Sequence, residues 1–441
     1  MSQRNLSILL LATILSYACY VRGGQNPYAR YVADGLLAIE QGSLDRVPDR
    51  DLLRGAMDGM VGVLRQHGDE HSQFLAEEDA DPLRAEIRQQ FGGIGVRIGL
   101  EGEPPRLAIV GPPDPGMPAA RANLMPGDFI LTVDGKATDG MDLGETLRRM
   151  RGLPGTTVRL EIEQAYDGTR RQLELVREII NIESILGDRR RDEGGWHFQL
   201  EADPRIAHIR ITSFGDRTAE ELAGVMDDIK RAGAKVIVLD LRDNAGGALD
   251  AAVAVCDMLL PAERLIVETR GRGHELRSQY KTTGDARFTD LPLVVVVNQN
   301  SASAAEIVAA CLQDHDRAIV VGERTYGKGT VQQLLPLESG KSLLKLTWAN
   351  FWRPSGQKIH RAAGGADDES WGVVPNEGYA LEFSPEQYAA FRKYRTDRDL
   401  IRRPLASEAT ENEGQATTDF VDEQLQMAVE YLTRQLSDHE L

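Results

Sequence analysis

The sequence predicts a multidomain α+β protein, and three observations carry that reading. From about residue 181 onward, short β-branched runs alternate with amphipathic stretches, the pattern of βαβ units. Residues 91–176 hold closely spaced strand signals separated by glycine-rich turns. Residues 27–76 carry apolar positions at helical spacing. A chain of 441 residues has room for about three domains and a sizeable core. Its 51 Lys and Arg against 68 Asp and Glu give a net charge of −17, which does not suit nucleic acid, and no basic stripe with aromatic partners stands out. The three cysteines, Cys19, Cys256 and Cys311, lack C-x-x-C spacing, and the eight histidines form no H-E-x-x-H or comparable cluster. A metal site is not supported.

At the N-terminus, Arg4 precedes the apolar run Leu6 to Val21 and Arg22 closes it. The run suits a secretory core and is short for a spanning helix of about 20 residues. Residues 1–24 therefore read as a signal peptide or N-terminal anchor of an exported protein, periplasmic or otherwise extracytoplasmic. Small residues Ser16 and Ala18 fit cleavage after Ala18, which would leave Cys19 first. Cleavage, lipid attachment and an uncleaved membrane tether are all left open. Residues 25–89 form a helical segment: Tyr28, Tyr31, Val32, Leu36 and Leu37, then Leu52, Met57, Met60, Val61 and Leu64, predict two or three amphipathic helices ending near Ser72. The charged stretch 76–90 reads as a further helix or a linker.

Residues 90–180 open with Phe91-Gly-Gly-Ile-Gly-Val96. The predicted order is strand Arg106–Val110, a short helix Ala119–Asn123, the turn Pro126-Gly-Asp128, hairpin Phe129–Thr138, helix Leu143–Met150, and strands Val158–Gln164 and Arg171–Val176. This order resembles a PDZ domain, with Gly93, Ile94, Gly95 and Val96 matching its carboxylate-binding loop. Glycines there let successive backbone N–H groups converge on a terminal carboxylate while a peptide adds at the sheet edge. A dinucleotide loop would need glycine at position 98, where Ile98 stands.

Residues 181–380 continue with strand Ile206–Ile211, helix Ala219–Ala232, strand Lys235–Leu241 and helix Ala248–Leu260. The turn Asp240–Gly247 ends at a helix start, where Gly246 and Gly247 can expose N–H groups. Leu293–Val297 reads as a buried strand, and a helix begins at Ser303 with Ala304, Ile307, Val308, Cys311 and Leu312. The first N–H groups of that helix have no internal partner and could hold an oxyanion. Ser303 and Glu306 also fit the capping box, in which the serine only caps the helix. After the strand Ala318–Val321 comes Gly327-Lys328-Gly329, and Gln332 shares a face with Lys328 in a helix or a strand. A lysine can act as base only as a neutral amine, so its usual pKa near 10.4 must be lowered by burial, with Gln332 aiming it without added charge. Gly322-x4-Gly327-Lys328 nearly matches a phosphate loop, but Gly329 replaces the required hydroxyl and Pro336 opposes the following helix. Phe351–Gly356 and Trp371–Pro375 are loop-forming. Residues 381–441 read as a charged C-terminal linker, polar from Glu408 to Thr418, and an amphipathic helix Phe420–Leu436 expected to pack on the body or on a partner.

Taken together, SASAAE at 301–306, QDH at 313–315, VGERTYGKGTVQQ at 321–333 and DLRDNAGG at 240–247 strongly resemble the carboxyl-terminal processing (tail-specific) serine proteases. The resemblance runs from about residue 30 to about 380, and within it the loop-forming segments Phe351–Gly356 and Trp371–Pro375 match the family's closing strands. It implies a serine-protease core of the tail-specific type with crotonase-like βαβ units, a PDZ domain engaging protein or peptide substrates by their free C-termini, and no cofactor. Position by position, it implies Ser303 as nucleophile, Lys328 as general base and Gln332 as the residue orienting the lysine. One oxyanion donor would be the N–H of Ala304 and the other that of Gly246 or Gly247. Asp314 falls where some members have an important acidic residue, although an exposed helix-end aspartate is the plainer reading. His315 is the next candidate base. In the family the helical segment can support dimer contacts, so a homodimer is left open. A catalytically idle PDZ peptide-binding protein is the remaining alternative.

Overall fold

A computed structural model describes residues 26–399 and 420–439, apart from 103, 112, 115, 192–193 and 362–369, together with positions 13 and 16. The expected N-terminal signal or anchor, Cys19 and the polar stretch Glu408–Thr418 lie outside the described residues. Among the described residues, no helix is long and apolar enough to cross a membrane.

The chain divides into two units, one of residues 1–77 with 333–346 and one of 78–332 with 347–441. The first holds helices α1 (Pro27–Gly42) and α2 (Asp49–Gln66) and the strand Gln73–Leu75, antiparallel to 343–345. Asn26 starts α1 by accepting the Tyr28 N–H at 3.1 Å, and Pro27 occupies the first turn, where its missing N–H costs nothing. The core of this unit is small: Val61, Phe74 and Ala76 are buried, with Met57, Leu337 and Leu344 against them.

The second unit contains two layered bodies. One is an antiparallel sheet in the order Ile98–Glu101, Arg106–Ile109, Phe129–Val133, Thr157–Glu163, Arg170–Val176. Alternate residues Val158, Leu160 and Ile162 face inward against Ile109, Ile130 and Met150, the last on helix α3 (Leu143–Met150). The strand Ile98–Glu101 stands at the edge of this sheet.

The other body is a five-stranded sheet in the order Ile185–Leu186, Ile206–Ile211, Val236–Asp240, Leu293–Val297, Ala318–Gly322, parallel except for its first strand. Every residue of the Val236–Asp240 and Leu293–Val297 strands is buried, as expected for a sheet covered on both faces. On one face Ile237, Leu239, Val295 and Val297 meet α4 (Thr218–Arg231), α5 (Leu249–Leu259) and α6 (Ala304–Asp314). Helix α7 (Pro385–Asp399) follows the core, and α8 (Glu423–His439) closes the second face. There Leu425, Ala428, Leu432 and Leu436 pack on Val236, Val238, Val294, Val296 and Val321.

One local expectation narrows, one changes and one is met in part. The final amphipathic helix packs on its own chain, against the sheet. Helix α7 occupies part of the stretch read as linker; of its residues only Phe391 and Arg395 are buried, so no apolar stripe announced it. The loop-forming segment from Phe351, which the resemblance matches to a closing strand, begins as the end of the strand Ser342–Trp352, which pairs with Leu265–Arg270 through residues 350–352.

Because Leu432 is fully buried between α8 and the sheet, Leu432→Ala should lower stability by about 2–5 kcal/mol in a denaturant titration. Glu430→Ala, on the exposed side of the same helix, should change it by less than about 0.5 kcal/mol.

Candidate active site

Parallel register sets the Leu293–Val297 and Ala318–Gly322 strands side by side, with Val297 opposite Gly322, so the segments leaving their carboxyl ends start together. The first leads through 298–303 into α6. Ser303 has φ 56° and ψ −114°, a backbone conformation that residues with a Cβ rarely adopt unless the surroundings impose it. It turns the chain sharply into the helix and is only half-buried. Ser301 is fully buried and differently employed: its Oγ donates to the Leu241 carbonyl at 2.8 Å and accepts the Asn298 N–H at 3.0 Å. Ser301 is therefore a brace, and Ser303 is the serine left at the helix start.

The second segment carries Gly327-Lys328-Gly329. A Cβ at Gly329 would lie 2.2 Å from the His360 backbone nitrogen, so glycine is required for the neighbouring chain to close here. Gly329 O accepts the Phe351 N–H at 2.7 Å and Gly327 O accepts the Arg361 N–H at 2.9 Å. Lys328 is half-buried between these contacts. The strand Thr330–Leu337 follows it, so the helix that a phosphate loop needs is absent from this position. Gln332 lies on the same strand face as Thr330, and its Nε2 donates to Thr330 Oγ1 at 2.8 Å, which fixes the amide.

Glu306 joins the two segments. It is fully buried, and Oε2 accepts the backbone N–H of Ser303 at 2.8 Å and that of Lys328 at 2.9 Å. Oε1 accepts the Gly327 N–H at 2.7 Å and the Thr325 hydroxyl at 2.5 Å. Burial pushes this carboxyl up to about 7, while the four donors pull toward the ionised form. The sequence signal for Glu306 was the S-x-x-E spacing, which suggested only a cap. Its wider role comes from donors some twenty residues further along the chain.

On the opposite side, the turn Asp240–Gly247 meets Ser303. A Cβ on Gly246 would lie 2.7 Å from Ser303 Cβ and 3.0 Å from the Ala304 nitrogen, so its absence keeps open the space over the α6 N-terminus. The Gly246 N–H is committed to Asn244 Oδ1 at 2.8 Å. Gly247 bridges Phe214 through its neighbours, Phe214 N–H to Gly246 O at 2.9 Å and Ala248 N–H to Phe214 O at 2.7 Å, which leaves its own N–H directed away from that bridge. Arg242, in the same turn, is buried between Asp240 and Asp422, at 2.7 and 2.8 Å.

Two other candidates sit elsewhere. Asp314 is not an exposed helix end: it forms a bidentate pair with Arg353, at 2.6 and 2.9 Å, and accepts the Ser355 N–H at 2.9 Å. It ties the far end of α6 to the 353–356 turn, roughly 16 Å along the helix from Ser303. His315, one residue on, engages the Leu265 carbonyl through Nε2 at 2.7 Å. Neither is brought to the serine.

The Gly93–Val96 loop opens on a cleft of about 680 Å³, floored by Ile94, Val96, Ile98, Leu147 and Met150. The Ile94 carbonyl accepts from Ala119 at 2.9 Å and that of Gly95 from Asp114 at 3.0 Å. Since C=O and N–H oppose each other across a trans peptide, the N–H groups of Gly95 and Val96 point the other way. No cluster of three or more His, Cys, Asp or Glu side chains able to hold a metal occurs among the described residues.

The model of peptidase family S41 matches residues 205–375, and that of a PDZ domain matches residues 109–164. The carboxy-terminal-processing protease of Bartonella bacilliformis is 36% identical over 320 residues, covering 70% of this chain and 68% of that protein. The carboxyl-terminal-processing protease of Picosynechococcus is 32% identical over 334 residues, covering 75% of this chain and 76% of that one. A solved photosystem II D1 C-terminal processing protease is 27% identical with a TM-score of 0.43, covering 79% of this chain and 86% of that one.

The Glu306 junction yields a pH prediction. Its folded value of about 7 lies above the ordinary 4.5, so folding takes up a proton between those pH values. The stabilising contribution is full below about pH 4.5 and fades as pH rises through 7, by on the order of 3 kcal/mol. Glu306→Gln cannot titrate, and its amide places donors against donors. Denaturant midpoints measured across this range should show that slope in the wild type and lose it in the variant, which should also be less stable throughout.

Proposed function

The chain belongs to the carboxy-terminal processing proteases of peptidase family S41, and from that premise we propose that it is an exported serine endopeptidase working through Ser303 and Lys328. The observation that carries this assignment is the single Glu306 oxygen that accepts from the backbones of both residues. In the proposed reaction Lys328, as a neutral amine, takes the Ser303 proton while Oγ attacks the scissile carbonyl. The developing oxyanion is received by the N–H groups of Ala304 and Gly247, since that of Gly246 is already engaged. Lys328 then protonates the leaving amine, and a water attacks the acyl ester with the lysine again as base. Gln332, fixed through Thr330, orients the lysine. No cofactor enters these steps.

Substrate selection is assigned to the PDZ domain. A protein tail would add as a strand beside Ile98–Glu101 and place its terminal carboxylate on the N–H groups of the Gly93–Val96 loop. Export is proposed from the basic and apolar pattern of residues 1–24.

Three substitutions and one chemical change test the assignment on unfolded protein substrates. Ser303→Ala should remove turnover and labelling by a fluorophosphonate probe, whereas an inactive Ser301→Ala alongside an active Ser303→Ala would move the nucleophile. Lys328→Arg should be inactive, because guanidinium keeps its proton at any working pH. Amidating a peptide's C-terminus should weaken its binding by roughly tenfold or more, the worth of a lost charge-assisted hydrogen bond; equal affinity for acid and amide would remove the tail-recognition claim.

A further inference from the structure

Helix α7, which follows the core, reaches the edge of the active site with one side chain. The Tyr388 hydroxyl donates to Asp243 Oδ1 at 2.7 Å and accepts from Asn300 Nδ2 at 2.8 Å. Asp243 Oδ1 also accepts Asn300 Nδ2 at 2.8 Å and Asn298 Nδ2 at 3.0 Å, and the Asp243 N–H donates to Asn298 Oδ1 at 2.9 Å. The hydroxyl thus joins the two loops that flank Ser303, the 240–247 turn and the 298–303 segment. Asp243 itself has φ 58°, a left-handed conformation that these bonds hold in place. The next residue, Asn244, takes the Gly246 N–H on its side chain at 2.8 Å and the Ala302 N–H on its carbonyl at 2.9 Å. A shift at Asp243 is therefore passed within one residue to the glycine turn and to the residue before Ser303.

We infer that Tyr388 is a positioning residue for catalysis, holding the glycine turn against Ser303 through Asp243. This rests on the reading that the turn supplies an oxyanion donor. Helix α7 is itself anchored beside these loops: Phe391 is buried against Phe383 and Phe420 under the Arg242 guanidinium, and its ring also meets that of Tyr388. A donor misplaced by a few tenths of an ångström costs most where charge develops, so the loss should fall on kcat and not on substrate binding. Burial and the neighbouring Asp243 push the Tyr388 hydroxyl up to about 12, so it stays protonated at working pH and its contribution should not vary with pH.

The test uses the full chain, with active sites counted by fluorophosphonate titration. Tyr388→Phe should lower kcat roughly tenfold, the worth of one hydrogen bond, with KM and tail-peptide affinity unchanged. Labelling of Ser303 by the probe should slow by the same factor, in constant ratio to wild type from about pH 6 to 9. Tyr394→Phe, on the same helix, should behave as wild type. Asp243→Ala, which removes the accepting oxygen, should also lower kcat, and adding Tyr388→Phe to it should lower kcat little further, because the bond from Tyr388 is then already lost. Wild-type kcat in Tyr388→Phe, a loss confined to KM, or additive losses in the double variant would overturn the inference. Should Ser303→Ala still be labelled, the underlying active-site reading fails instead, and the two failures are thereby told apart.

Discussion

One buried carboxylate sets the spacing on which the proposed chemistry depends. Ser303 and Lys328 arrive on separate βα and ββ segments, and the parallel register of their strands brings them only to the same end of the sheet. Glu306 reduces that approach to a fixed geometry, since one of its oxygens accepts from both backbones. A charge buried this deeply is costly unless its acceptor sites are filled, and here four donors fill them. Each donor is therefore constrained by the cost of leaving the carboxylate short. A looser arrangement of serine and lysine would be an arrangement with an unsatisfied buried charge, so specificity of geometry follows from desolvation.

The facing turn is fixed by a different means. Asp243, Gly246 and Ser303 all have positive φ, and for the two with side chains that conformation is unfavourable in isolation. Bonds between the loops hold it: Ala302 to the Asn244 carbonyl, Asp243 to Asn298, and Ser301 to the Leu241 carbonyl. Local strain held by such a network is a form of preorganisation, because in the proposed reaction the donors would need no reorientation as negative charge appears. It also explains why the two neighbouring serines differ in use. Ser301 spends its hydroxyl on this network, and Ser303 follows the bend that the network creates.

Much of this was legible from residue order. The buried strands Ile206–Ile211 and Leu293–Val297 and the helices between them follow from apolar periodicity, because burial against the sheet is what forms them. Ser303 and Lys328 stood out because a serine at a strand-to-helix junction and a lysine between glycines are unusual together. What stayed hidden depends on pairs distant in sequence. Asp314 reads as an exposed helix end until Arg353, thirty-nine residues on, is placed beside it. Tyr388 lies in a helix with one buried aromatic and a charged surface, and no local pattern ties it to Asp243, 145 residues earlier. Polar contacts of this kind have no period, so they leave no mark for a sequence reading to find.

The placement of α7 beside the candidate active site follows from the needs of the sheet. A parallel sheet must be covered on both faces, and α4, α5 and α6 cover one. The other presents Val236, Val238, Val294, Val296 and Val321, which would be bare to water without α8. Leu381 is still tied to the sheet through Gly322 O at 2.8 Å, at the carboxyl end of the last strand. From there α7 places Tyr388 on the loops leaving the Val236–Asp240 and Leu293–Val297 strands, before α8 reaches the open face. A helix whose role is to bring the chain to an apolar surface need not carry an apolar stripe of its own, and it is free to bear side chains that bind polar loops. Asp422 and Gln424, at the start of α8, continue the same arrangement by holding Arg242 at 2.8 and 3.1 Å. The hydrophobic demand of the sheet thus delivers the last part of the chain to the turn that faces Ser303, and the polar contacts made there fix that turn in place.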